Sequence, residues 1–254
     1  MAVLLEGGCR VTGFKDGEPT VNGTLTVWPQ IGRANGASGI ALRTMEFASG
    51  LSPTLSSDES DEIFYVLQGA ATVQIDGNSF EVEPEMGVYL RHGSTLTVNN
   101  ANPQSLILIS SQCPEPTSVT PSAFTANAGT SHLPTPRQSP PIVKLSDRQA
   151  VPTADRWYRV LVDDEIGSEQ ATQFVGSIPP GRAPDHFHNY EEVLFILRGV
   201  GRMWAGGSQT SISAGSCIYL PKGQVHCVEN TGEGELRLLG VFYPAGSPSV
   251  RYEV

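Results

Sequence analysis

The sequence predicts an all-β protein made of two tandem barrels, and three observations carry that expectation. First, 254 residues include 27 glycines and 19 prolines, with short Val/Ile/Leu/Thr runs between them. Such a composition disfavours long helices and suits strands bounded by tight turns. Second, turn residues recur every 8 to 12 positions, the spacing of a barrel or jelly roll. Third, the chain repeats itself: residues 61–100 align without a gap on residues 191–230, an offset of 130. Glu62 falls on Glu192, Gly69 on Gly199, Tyr89 on Tyr219, Gly93 on Gly223 and Asn100 on Asn230.

Taken in order, residues 1–112 are expected to form a first barrel, 113–152 a Pro/Ser/Thr-rich linker, and 153–254 a second barrel. His132, inside the linker, reads as a solvated side chain. The strands expected in the second barrel are ATQFVGSI, EEVLFILRG, GRMWAGG, QTSISAG, SCIYLPKG, HCVENTG and ELRLLGVFY. In EEVLFILRG, Leu194 and Ile196 lie on one face and Val193, Phe195 and Leu197 on the other. A strand apolar on both faces belongs in a packed interior.

Charge and hydropathy narrow the function. A net charge of -10 with no basic run excludes a phosphate-binding nucleic-acid surface. The first twenty residues lack the basic and apolar regions of a signal peptide, and no apolar stretch reaches membrane-spanning length. The expectation is therefore a cytoplasmic protein with neither nucleic-acid nor membrane partners, leaving self-association open. The four cysteines, Cys9, Cys113, Cys217 and Cys227, have no CxxC spacing and read as reduced, buried thiols; a Cys217–Cys227 disulfide is the alternative.

The chemistry-bearing residues cluster in one stretch, HFHNYEEVLFILRG, residues 186–199. On an extended strand, residues two apart share a face at about 6.6 Å, so His186 and His188 project together. Glu192 re-enters a strand on the same side, and His226 follows a Pro221/Gly223 turn back toward it. Three of five histidines plus a glutamate form a plausible ligand set for one ion.

These residues resemble the cupin superfamily. Its first motif, a glycine followed by His-x-His, three or four residues, Glu, six residues and Gly, is matched by Gly181, His186, His188, Glu192 and Gly199. Its second, a glycine, five residues, Pro-x-Gly, two residues, His, three residues and Asn, is matched by Gly215, Pro221, Gly223, His226 and Asn230. The duplication extends the resemblance to the bicupins, which implies two jelly-roll barrels and a divalent transition metal on His186, His188, Glu192 and His226. Family habit favours Mn(II), Fe(II) or Ni(II), with Zn, Co or Cu compatible with the same ligands. In the first copy the 130-residue offset sets Ser56, Asp58, Glu62 and Leu96 at the ligand positions, so that barrel is expected to be metal-free.

The expected function is a mononuclear metal enzyme acting on a small organic molecule, with Glu192 also the catalytic proton acceptor. A dioxygenase comes first; an isomerase, decarboxylase or cyclase of oxalate decarboxylase-like type follows, and a non-catalytic ligand-binding cupin third. Gln173, Gln224, Trp204 and Phe242 are the candidate substrate-pocket residues. Glu191 should face away from the site into solvent, and the acidic runs at 58–62 and 163–165 read as solvated loops.

Overall fold

In a computed structural model, which describes residues 2–116, 140–250 and 252–253, the chain folds into two tandem jelly-roll barrels. Most of the linker and His132 lie outside the described residues. Each expected strand of the second barrel is present, from Thr172–Ile178 to Leu236–Tyr243. Helix is confined, among the described residues, to single 3-10 turns such as Asp164–Ile166.

The central strand of each barrel is the repeated one. Asp61–Gln68 lies between Met86–Leu90 and Leu106–Cys113, and Glu191–Arg198 lies between Ser216–Leu220 and Leu236–Tyr243. Its two apolar faces serve two cores. Phe64 and Val66 fill the first barrel and Leu194 and Ile196 the second, whereas Ile63, Tyr65, Val193 and Phe195 meet in a third core between the barrels. That arrangement explains why alternation along these strands shows no polar face.

The barrels also exchange strands. Arg10–Gly13, at the start of the chain, pairs antiparallel with Ser216–Leu220 of the second barrel. Ile142–Lys144 pairs with Met86–Leu90 of the first. The exchange crosses the divisions drawn from sequence at residues 112 and 153, because each sheet has an edge that the neighbouring module's leading strand covers.

Burial of the inner faces corrects two readings. Glu191 does face away from Glu192, but that face is the interface between barrels rather than solvent. It is buried and accepts hydrogen bonds from the backbone amides of Ser38 (2.6 Å) and Gly39 (2.7 Å) and from the Tyr219 hydroxyl. Its repeat partner Asp61 accepts from Tyr89 Oη (2.8 Å) and the His92 amide (2.9 Å). In the 58–62 run only Asp58 and Glu59 are exposed; Asp61 and Glu62 are buried. All four cysteines are free and buried. No helix among the described residues is long and apolar enough to cross a membrane.

Candidate metal centre

Backbone pairing brings the histidines together. His186 sits directly opposite His226 where His186–Phe187 pairs with His226–Asn230. His188 follows two residues later, its carbonyl accepting from the Gly223 amide at 2.8 Å. Gly223 has φ 78, a left-handed turn conformation that glycine adopts without steric cost, so the turn delivers His226 to the site. Potential ligand atoms of His186, His188 and His226 all lie within 4.8 Å of one another. Glu192 enters from the central strand, its Oε2 3.6 Å from His188 Nε2 and 3.7 Å from His226 Nε2.

Two of the imidazoles are oriented by the backbone. His186 Nδ1 lies 3.0 Å from the Pro184 carbonyl and His226 Nδ1 2.8 Å from the Gln224 carbonyl. A carbonyl only accepts, so each Nδ1 carries the proton and each Nε2 keeps its lone pair. Burial raises Glu192 from 4.5 to about 8 and lowers His226 to about 3, the nearby His186 and His188 adding to the latter. The pocket thus resists a net charge of either sign on its own groups. Imidazole nitrogens converging beside a buried carboxyl group are the donor set a divalent transition metal takes, so these residues fit such an ion.

Around the ligands is a cavity of about 110 Å³. Phe174, Leu194, Val228, Leu238 and Phe242 form its apolar wall, and Arg156, Trp157 and Tyr158 also line it. Of the pocket candidates read from sequence, Phe242 lines the cavity, and the other three are placed elsewhere. Gln173 points from the opposite face of its strand into the core between barrels, its Oε1 3.0 Å from where a Cβ on Gly87 would sit. Gln224 packs on Gly7 and donates to the Val225 carbonyl at 2.8 Å. Trp204 lies outside the barrel, donating to Glu229 at 2.9 Å, with the Arg182 guanidinium 4.3 Å from its ring centroid.

Phe174 and Tyr190 went unnoticed in the sequence. Tyr190 stacks on His188, with centroids 4.9 Å apart and planes at 11°, and its hydroxyl donates to the Ser247 carbonyl at 3.2 Å. Phe174 alternates with Gln173, so choosing the inner face of Thr172–Ile178 one residue differently would have found it.

The first barrel has no such centre among the described residues. There the strand register differs by one from the sequence alignment: Leu55, not Ser56, lies opposite Leu96, as His186 lies opposite His226. Likewise the Gly93 amide donates to the Ser57 carbonyl at 2.7 Å, as Gly223 does to His188. The counterparts of the histidines are therefore Leu55, Ser57 and Leu96. One additional residue between Ser57 and Glu62 absorbs the shift, which an ungapped alignment running back from residue 61 could not place.

The paired jelly rolls and the ligand-bearing turn define the class of protein, and the second barrel carries a cupin domain. The cupin domain family model matches residues 174–242. An uncharacterized protein of Aquifex aeolicus is 34% identical over 86 residues, covering 33% of this chain and 69% of that protein. The oxalate-binding protein of Thermotoga maritima is 36% identical over 66 residues, covering 25% of this chain and 54% of that protein. Among solved structures, oxalate decarboxylase from Bacillus subtilis is similar in fold, with a TM-score of 0.73 at 16% identity, over 93% of this chain and 77% of that one.

Proposed function

We propose that this chain is a mononuclear metal-dependent enzyme whose second barrel, residues 153–254, acts on a small organic molecule. His186, His188, Glu192 and His226 would hold the ion, with Mn(II), Fe(II) or Ni(II) the favoured occupants. When bound, such an ion supplies Lewis acidity and open coordination positions for substrate oxygens and dioxygen. The carrying observation is the convergence of three buried or half-buried imidazoles and Glu192 at the floor of a cavity whose other wall is apolar.

The chain's own residues do the rest. Phe174, Leu194 and Phe242 exclude water from the reacting end of the substrate. Glu192, the one carboxylate among the residues lining the cavity, can accept a proton from an oxygen-bearing carbon acid in a setting closed to solvent. Tyr190 keeps the His188 ring in plane by stacking on it. Oxygenation of an enolisable substrate is the reading we place first.

A second reading, metal-assisted decarboxylation without net oxidation, draws support from the relative named for binding oxalate, which matches a quarter of this chain. Metal content of the purified protein, followed by turnover with and without oxygen, tests both. Oxygen consumed in proportion to substrate supports the dioxygenase; undiminished anaerobic turnover selects the second reading. A metal-free protein indifferent to chelator would instead fit a ligand-binding cupin and end the enzyme proposal.

A further inference from the structure

The wall facing Glu192 sets which molecules fit beside it. Phe174 lies against Gly240 on the neighbouring strand, where a Cβ would stand 2.3 Å from the Phe174 ring. Any side chain at residue 240 would displace the ring. Phe242 packs against Phe174 with centroids 4.9 Å apart, and Leu194 and Leu238 continue the surface. Among the described lining residues Arg156 alone carries a fixed positive charge, and its Nε is 3.0 Å from Asp155. Nothing else on that wall would compensate a second carboxylate stripped of water.

We infer that the cavity takes a small molecule with an oxygen-bearing head and a compact apolar body of about three carbons, and discriminates against a dicarboxylate with no apolar body. The size follows from the cavity's 110 Å³, set against the roughly 150 Å³ apolar cavity that holds benzene. This substrate class rests on the proposed metal centre for its oxygen-bearing end, and on Phe174 and Gly240 for its apolar end.

Calorimetry on the zinc-loaded protein, which binds without redox turnover, tests it with two probes: 3-methyl-2-oxobutanoate and oxalate. The branched oxo acid should bind at least about tenfold tighter, since its isopropyl group leaves water for the apolar wall. Phe174→Ala should shift the preference to the longer 4-methyl-2-oxopentanoate. Oxalate binding as tightly as the branched acid, or tighter, overturns the inference. Xenon NMR on the metal-free protein separates the two parts: a bound-xenon signal that Phe174→Arg removes supports the apolar wall, and no signal in the unsubstituted protein overturns it. Failure of zinc to bind defeats the metal centre, whatever xenon reports.

Discussion

At the same position in the two barrels a buried glutamate meets opposite surroundings. In the first, Glu62 accepts from Arg43 Nη2 at 2.5 Å and from the Ser110 hydroxyl, while buried Leu55 and Leu96 stand at the histidine positions. In the second, Glu192 faces His188 and His226, and Phe174 and Gly240 occupy the places of Arg43 and Ser110. Strand pairing establishes the equivalence: Arg43 is opposite Ser110 as Phe174 is opposite Gly240, and Glu62 is opposite Gln112 as Glu192 is opposite Phe242. One barrel neutralises its carboxylate with a built-in cation. The other sets imidazoles beside its carboxylate, the arrangement proposed above to take an ion from outside.

The comparison can be broken most directly at a ligand. His188→Ala should take bound metal in the second barrel from one ion per chain to none, with the metal-free melting temperature little changed; elemental analysis and calorimetry check both. Unchanged stoichiometry would refute the assignment.

Removing the first barrel's cation is the next largest effect. Arg43→Met leaves Glu62 buried without its partner and should cost about 3 kcal/mol of stability, read by denaturant unfolding. A loss below about 0.5 kcal/mol would show that Ser110 alone satisfies Glu62.

Transplanting that cation sharpens the contrast further. Phe174→Arg with Gly240→Ser should lower metal affinity at least tenfold although every ligand remains, because the guanidinium then compensates Glu192. Affinity equal to that of the parent protein, measured by competition with a chelator, would mean the histidines alone decide occupancy.

The last test reads the pH slope of the metal-free protein. Glu192 is raised from 4.5 to about 8, so the folded state holds a proton that the unfolded chain releases. Its contribution to stability is full below pH 4.5 and is lost as pH rises through 8. Glu192→Gln should flatten that part of the profile, and an unaltered slope would assign it to another group.

Much of this contrast was legible in the chain itself. The 130-residue repeat, the turn glycines and the strand pattern specified two barrels, because a jelly roll's alternation and turns are local properties of sequence. His186, His188, Glu192 and His226 were legible too, since their types and spacing are unusual in a chain with five histidines. Apolar alternation does not tell a barrel interior from an interface between barrels, so by pattern alone Gln173 reads as a pocket residue and Glu191 as solvent-facing, whereas both are buried on the interface side.

Sequence by itself determined the fold, its duplication and which copy carries imidazoles, because residue type and periodicity encode those directly. Only the tertiary structure decided the one-residue register of Leu55 and Ser57, the exchange of leading strands, and the replacement of Arg43 and Ser110 by Phe174 and Gly240. These depend on which strands pair and in what register, and pairing between residues as far apart in the chain as Arg43 and Ser110, 67 residues, leaves no local trace.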